Sequence, residues 1–242
     1  MSGIFNCNDD VIDILLNLLD IRSICCLDTV ISNRVERKKW LECLRKSTSP
    51  ACDNYAHCHS SIIWLSQKGL QAQHLKISDT KKHEIQSATF ENFKVPTMQS
   101  IDLSNCRNLN DDGIKSLVNG CPHLNTAKLS GCYSITNDGI LALAEGCNRH
   151  LHTVDISYSR NINSDGLNKL GLSCPNLTSI DFSHMGVFNH RNLVNDIYHN
   201  VSTFLKYCPK LQNINAAHCG ELVSNEFLLE VAEHCPDLYS VV

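Results

Sequence analysis

A unit of about 26 residues recurs along the chain, and each copy ends in a cysteine. The five terminal cysteines are spaced by 26, 27, 34 and 27 residues: Cys121, Cys147, Cys174, Cys208 and Cys235. Four of the five are followed directly by proline. An earlier period starts at Ala72, 26 residues before Met98, and "PDLYSVV" starts a last unit that stays incomplete. A fixed period of this length predicts a solenoid, because one unit cannot bury a core unless it stacks on its neighbours.

Each unit predicts a short strand followed by a helix. In "LNTAKLSGC", Leu124, Ala127 and Leu129 alternate with polar residues, as expected for a strand with one buried face. A helix start follows, in which an aspartate lies two residues after an N-cap candidate: Asn110, Thr136 or Asn163. The Cys-Pro step ends the helix, because proline disfavours a helical conformation in the residue before it.

These units resemble the cysteine-containing subfamily of the leucine-rich repeats, with its pattern C-x-x-L-x-x-L-x-L-x-x-C-x-x-(I/L)-(T/N)-x-x-(G)-(I/L). The match covers about residues 98–242. The resemblance implies an α/β solenoid with parallel strands on a concave face and helices outside. We expect the repeats to occupy residues 72–242, with the last unit incomplete.

The cysteines, fourteen in all, are interpreted as packing residues. The N-terminus lacks the pattern of a signal peptide, which favours a reducing compartment where disulfides are rare. The mid-unit position of Cys106, Cys132 and Cys219 also holds Ser159 and Met185, which a metal or disulfide site would not tolerate. One cluster has ligand types for zinc, but its spacing fits no common finger, so we expect no metal: Cys52, His57, Cys58 and His59.

Charge and motifs exclude several functions. A net charge of -4 argues against a nucleic-acid binder, and the basic run from Arg34 to Lys39 lies beside Glu36 and Glu42, which favours a solvated helix face. The longest apolar stretch is broken by polar residues and is too short to span a bilayer. No catalytic or phosphate-binding motif occurs. We therefore expect a protein that is not an enzyme, has no cofactor and resides in the cytoplasm, the nucleus or both.

Residues 1–46 predict three short helices, and residues 47–71 predict a linker. A first helix, the stretch "LDIRSICCL" and a later tryptophan together resemble an F-box. The resemblance implies docking on the adaptor subunit of a cullin-based SCF ubiquitin ligase, while the repeats capture the protein to be ubiquitinated. It assigns these residues to the adaptor-facing or core helices: Leu15, Leu18, Leu19, Ile21 and Leu27. The alternative is a binding scaffold without a ubiquitin role, whose N-terminal helices only cap the solenoid.

The polar side of the strands predicts the binding surface for a protein partner. Two rows of residues recur at fixed positions on the expected concave face: Asp102, Lys128, Asp155, Asp181 and Asn215 in the centre, with Tyr158, His184 and His218 at the edge. Three carboxylates in one row favour a partner with a basic or mixed-charge patch. The fourth unit is longer than the others, which predicts an enlarged rim element and a second possible surface around Phe188, His190 and Arg191.

Overall fold

The computed structural model describes residues 35, 38, 40–42, 54–56, 59–69, 72–77, 85–185, 201–219 and 225–242. The five residues predicted to face the adaptor lie outside these ranges: Leu15, Leu18, Leu19, Ile21 and Leu27. The segment around Phe188, His190 and Arg191, for which an enlarged rim element is predicted, also lies outside them, as do Cys52, His57 and Cys58 of the zinc-type cluster.

Short strands and helices alternate through the described residues. The strands are β1 Asn54–Ala56, β2 His74–Ile77, β3 Ser100–Asp102, β4 Thr126–Lys128, β5 Thr153–Asp155, β6 Ser179–Asp181, β7 Asn213–Asn215 and β8 Ser240–Val241. The helices are α1 His59–Gln67, α2 Asp111–Gly120, α3 Asn137–Cys147, α4 Ser164–Ser173, α5 Val201–Tyr207 and α6 Asn225–His234. Short 3-10 helices cover Ser87–Phe90 and Asn148–His150.

Over the described residues, the strands form one eight-stranded sheet in sequence order, with every neighbouring pair parallel. The register is the one the period predicts, since Ala127 lies opposite Ile101 and Val154. The middle residue of each strand from β3 to β7 is buried and its two neighbours are less buried. The predicted α/β solenoid of parallel strands and helices is therefore confirmed.

The helix starts also agree with the sequence. The side chains of Asn110, Thr136 and Asn163 accept a hydrogen bond from the backbone N–H two residues later. Where proline follows the terminal cysteine, the helix ends before it, as at Cys121 and Cys174. Cys147 is followed by asparagine and lies inside its helix. Proline therefore sets the helix end where it is present.

Hydrogen bonds join the start of each helix to the start of the next. Asp111 accepts from the backbone N–H of Thr136 at 2.8 Å and from its hydroxyl at 2.7 Å. Asn137 repeats this contact one unit later: it accepts from the N–H of Asn163 at 3.0 Å and donates to its side chain at 2.7 Å. Each cap therefore orders its own helix and fixes the stacking of the neighbouring unit.

The prediction of a linker over residues 47–71 was wrong for its described part. Strand β1 pairs in parallel with β2, and helix α1 follows it with Ile62 and Leu65 buried in the common core. The segment lacks the terminal cysteine and the capping aspartate of the later units. The strand–helix array therefore begins before residue 72, and the structure places a unit where the sequence signal is weak.

The third N-terminal helix contacts the solenoid. Val35, Lys38 and residues 40–42 are helical, in agreement with the predicted helix. Trp40 is buried within the hydrophobic core of the repeats, and Leu41 packs against that core. This tryptophan, part of the F-box-like pattern, is therefore also a structural residue of the solenoid.

The cysteines of the described units are buried free thiols: Cys106, Cys121, Cys132, Cys147, Cys174, Cys208, Cys219 and Cys235. Cys132 and Cys219 donate weak hydrogen bonds to the carbonyls of Leu103 and Phe182, at 3.1 and 3.2 Å. Burial raises the pKa of Cys121 to about 12 and that of Cys174 to about 12. These thiols therefore fill space, as the sequence predicts, and are poor nucleophiles.

We expect a thiol reagent to distinguish these cysteines from the others. In the native protein the eight buried thiols should remain unreacted, so that at most the other six of the fourteen react. All fourteen should react in denaturant, because unfolding exposes the thiols and returns their pKa to the ordinary range. Mass spectrometry after alkylation assigns the sites. Rapid native labelling of Cys121 or Cys174 would contradict the packing role.

Candidate functional site

The central row predicted from the sequence is assembled on the polar face of the sheet, the face that is concave in a solenoid of this type, as one continuous column, termed the central column. Each member lies opposite the next across the sheet: Lys76, Asp102, Lys128, Asp155, Asp181 and Asn215. Lys76 was missed, although the upstream period from Ala72 predicts it at this position. Its Nζ lies 4.0 Å from Oδ2 of Asp102. Positive and negative charges therefore alternate at one end, while Asp155 and Asp181 are adjacent carboxylates.

The acidic residues of the central column also shape the backbone. One carboxylate oxygen of each accepts a hydrogen bond from the backbone N–H two residues later, at 3.0 Å in Asp102, 3.0 Å in Asp155 and 2.9 Å in Asp181. Asn215 makes the same contact at 3.1 Å through its amide oxygen. This is the Asx-turn, which leads the chain out of the strand. An asparagine therefore suffices for the turn, and the negative charge of the aspartates is additional to it.

Asp155 lies in an unfavourable environment for a negative charge. Burial raises the pKa of its carboxyl and the nearby charge of Asp181 raises it further, while hydrogen bonds from Ser157 and the charge of Lys128 lower it. The net direction is upward. The hydroxyl of Ser157 lies 2.7 Å from Oδ1 of Asp155 and 2.7 Å from the hydroxyl of Ser130. A cationic group brought to this pair of carboxylates would stabilise the ionised form.

The change Asp155→Asn is expected to increase stability at neutral pH. Because the folded pKa of Asp155 is raised, the folded state binds its proton more tightly, and stability is lost as pH rises through that pKa. Asparagine keeps the Asx-turn and cannot ionise. The melting temperature of the variant should exceed that of wild type at neutral pH, and the gap should close towards pH ~4, near the ordinary aspartate pKa.

The control for this prediction is Asp102→Asn, which removes the same charge from a carboxylate that Lys76 neutralises. We expect no gain in melting temperature there. A decrease at neutral pH for Asp155→Asn would mean that the hydrogen bonds from Ser157 outweigh the burial of the charge.

The edge residues form a second row, termed the rim column, in which every backbone is left-handed: Asn105, Gly131, Tyr158, His184 and His218, with φ of 64°, 67°, 59°, 61° and 56°. The ring of Tyr158 stacks on that of His184 at 4.1 Å with planes 10° apart, and His184 stacks on His218 at 4.3 Å and 24°. Tyr158 is 40% exposed. Three rings therefore form one stack at the edge of the concave face, with Tyr158 and His218 at its exposed ends.

A third group lies two residues further along the chain and was missed by the sequence analysis. Arg107 and Arg160 place their guanidinium carbons 5.4 and 4.7 Å from the ring centroid of Tyr133, which belongs to the unit between them. Both arginines are exposed and Tyr133 is half-buried. We term these three residues the arginine clamp. Each of the three residues follows a rim-column residue by two positions, and this regular spacing is the sequence signal that could have identified them.

All the partner-binding residues predicted on the repeats lie on this one face. Asp102, Lys128, Asp155, Asp181 and Asn215 share the central column, and Tyr158, His184 and His218 share the rim column. Their role as partner contacts remains a prediction. Together the two columns offer charges of both signs and stacked rings, which suits recognition of a protein surface.

No metal-binding group of three or more His, Cys, Asp or Glu side chains occurs among the described residues. Nδ1 of His123 and Nε2 of His150 lie 3.4 Å apart, where the two rings can share a hydrogen bond. Separately, none of the helices in the described ranges is long and apolar enough to cross a membrane.

Comparison with known proteins identifies the type of repeat. A family model described as Leucine Rich repeat matches residues 96–118 and 147–171. Among curated proteins, none matches the chain significantly. A chain of the yeast Rad7 and Elc1 complex is 15% identical, with 76% of this chain and 44% of that chain covered and a TM-score of 0.50.

Two further structures are similar at lower scores. The leucine-rich repeat-containing protein LegL7 from Legionella pneumophila is 14% identical, with 76% of this chain and 59% of that chain covered and a TM-score of 0.48. The tropomodulin C-terminal domain from Caenorhabditis elegans is 13% identical, with 62% and 89% covered and a TM-score of 0.47. The chain thus spans only 44% and 59% of the first two proteins. The two matched segments and the fold shared with the first structure show that the described part of the chain has the solenoid fold of leucine-rich repeats.

Proposed function

We propose that this protein is the target-recognition subunit of an SCF-type, cullin-based ubiquitin ligase, and that it has no catalytic activity of its own. Its repeats bind the protein to be ubiquitinated on the concave face, and its N-terminal F-box-like segment binds the ligase adaptor. The observation that carries the proposal is the central column beside the rim column. Both run across successive units and present side chains of the kind that contact proteins.

The N-terminal half of the proposal rests on the F-box-like pattern and on the fold. The yeast structure of similar fold is a complex of two proteins, Rad7 and Elc1, which is in keeping with a repeat protein that assembles with a second subunit. One observation favours the simpler scaffold function: Trp40 is buried in the core of the solenoid. A helix that seals the solenoid in this way acts as a cap, whether or not it also binds an adaptor.

Co-purification of the intact chain with the SCF adaptor subunit tests the proposal. We expect a stable complex that is lost on Leu18→Glu, a change in the F-box-like segment. The double variant Asp155→Asn and Asp181→Asn is the matched control, since it alters the concave face and should retain the adaptor. Circular dichroism of both variants establishes that each is folded. Absence of the adaptor from the wild-type preparation would leave a binding scaffold without a ubiquitin role.

The same double variant tests the target side. Removal of two charges from the central column should slow association with a basic target and reduce the dependence of the rate on salt, because such charges act mainly on the rate of encounter. Both asparagines preserve the Asx-turns, as Asn215 does in β7, so the fold is kept. Association rates across a salt series provide the measurement. Rates equal to wild type at every salt concentration would exclude the central column as the target site.

A further inference from the structure

The stack of rings in the rim column ends in an open aromatic face. The ring of His184 lies 4.1 Å from that of Tyr158 with planes 10° apart, so it covers one face of the tyrosine. Because the units follow one another in sequence order across the sheet, the opposite face of Tyr158 points towards the preceding unit. Within the described residues, no ring and no cationic side chain contacts Tyr158 on that face. The end of the stack is therefore available to a further flat group.

The preceding unit has a glycine at this level of the rim column. Gly131 follows strand β4 as Tyr158 follows β5, and both have a left-handed backbone. The nearest side-chain atom to a Cβ added at Gly131 would be Oδ1 of Asn105, at 2.6 Å. Asn105 is exposed, and its carboxamide makes no hydrogen bond within the described part of the chain. The column thus lacks one side chain between Asn105 and Tyr158, and we term this place the rim gap.

The rim gap has the width of one flat side chain. Asn105 and Tyr158 lie two strands apart, or about 10 Å, because neighbouring strands are about 4.8 Å apart. A planar group midway between them would lie about as far from each as the stacked rings lie from one another, at 4.1 and 4.3 Å. The carboxamide of Asn105 can turn to admit it, since no hydrogen bond holds it. A flat side chain in the gap would therefore continue the stack.

The charges beside the rim gap favour a cationic side chain. Lys128, Asp155 and Asp181 follow one another on the central column, one cation beside two carboxylates. Burial raises the pKa of Asp155, and the charge of Asp181 raises it further, so a second cation nearby would stabilise the ionised carboxylate. Among flat side chains, arginine is permanently charged, and its guanidinium stacks on aromatic faces. A neutral ring would fit the gap without balancing the carboxylates.

We propose that the rim gap between Asn105 and Tyr158 binds an arginine of the partner protein, with the guanidinium on the open face of the tyrosine and its charge balanced by the central column. This deepens the proposed function and rests on it, because it takes the partner of the concave face to be a protein. It narrows the basic patch of the target to one arginine. Lysine is a poorer substitute, because its ammonium group is not flat.

The test titrates the intact chain with the synthetic peptide acetyl-Gly-Arg-Gly-amide at low salt, up to tens of millimolar. NMR shifts of the Tyr158 ring protons and of the Gly131 N–H report binding at the gap. We expect saturable shifts with this peptide. The lysine analogue should bind about 2- to 5-fold more weakly, the factor that an exposed cation–π contact contributes. The citrulline analogue, which is flat but uncharged, should not reach saturation.

Variants of the chain locate the binding. Gly131→Asn fills the gap with a side chain and should abolish the shifts of the Tyr158 ring. The fold should be kept, because asparagine tolerates a positive φ, as Asn105 does in the same column. Gly69→Asn is the matched control: it makes the same replacement at a φ of 63°, outside the rim column and with nothing within 4 Å of the new Cβ. Tyr158→Phe keeps the aromatic face and should bind like wild type.

Any of these results would overturn the proposal: no saturation with the arginine peptide, equal affinity for the lysine, citrulline or phenylalanine analogue, or unchanged binding in a folded Gly131→Asn variant. The peptide comparisons use the wild-type chain, so they decide the question even if a variant does not fold. None of them involves the ligase adaptor. Peptide binding without adaptor capture would reject the ubiquitin role alone, and adaptor capture without peptide binding would reject the arginine site alone.

Discussion

Replacing Leu129 with aspartate should abolish the cooperative unfolding of the repeat region. Leu129 is 1% exposed and follows strand β4, so the new carboxylate would lie in the shared core without a partner. An uncompensated buried charge costs about 3–5 kcal/mol, on top of the lost leucine packing. Small domains have only about 5–15 kcal/mol in total. Circular dichroism during urea titration should show loss of the transition, or a midpoint far below that of wild type.

The matched control is Lys128→Ala, one residue earlier in the chain. Lys128 is exposed on the concave face, and substitutions at such positions usually change stability by less than about 0.5 kcal/mol. A strand with one buried face predicts that substitutions at neighbouring residues change the stability by very different amounts. Similar effects of the two changes would show that the strand register is wrong.

A second large effect is expected from Gly120→Ala. In an exposed helix, alanine is more favourable than glycine by about 1 kcal/mol. Here a Cβ would clash with the carbonyl oxygen of Phe93, a backbone atom that cannot turn away. The carbonyl of Gly120 itself accepts from the N–H of Val95 at 3.1 Å. The added methyl group would force the end of helix α2 away from residues 93–95. The change should therefore lower the free energy of unfolding by about 1–3 kcal/mol, instead of raising it as in an exposed helix.

Asn119→Ala in the same helix provides the comparison. Asn119 is exposed, so its replacement by the better helix former should be neutral or slightly stabilising. Free energies of unfolding from denaturant titration measure both variants. If alanine at position 120 stabilised the protein to the same extent, the contact between α2 and residues 93–95 would be looser than described.

The sequence predicts the repeat architecture because each physical rule recurs in several units. Leu124, Ala127 and Leu129 set the buried face, and the caps Asn110 and Thr136 set the helix starts; all of these are found in the structure. The first unit escaped prediction because α1 has no acidic residue in its first turn. Its strand "NYA" also has no leucine pattern. Where local signals are weak, pairing with the next strand determines the fold.

The sequence predicts which residues line the central and rim columns, but it does not predict how their side chains contact one another. The rows that contain Asp155 and Tyr158 follow directly from the period. The stacking of Tyr158 on His184 depends on a positive φ, which is uncommon for such residues and has no local sequence signal. Asp155 accepts a hydrogen bond from the backbone N–H of Ser157, two residues later, which makes an Asx-turn. From the sequence alone, Asp155 was interpreted only as a surface charge. The stacking of the rings depends on the distance between neighbouring units, which the sequence does not give.

The left-handed backbone of the rim column limits how this protein can diversify. Residues branched at Cβ and proline are poorly tolerated at positive φ, so the accessible repertoire at these positions is glycine, asparagine and unbranched residues such as the present rings. The central column has extended backbone and already holds lysine as well as aspartate. Over evolutionary time, a change of partner would therefore be made most readily by exchanging charges along the strands, while the rim retains glycine, asparagine or other residues without a branch at Cβ.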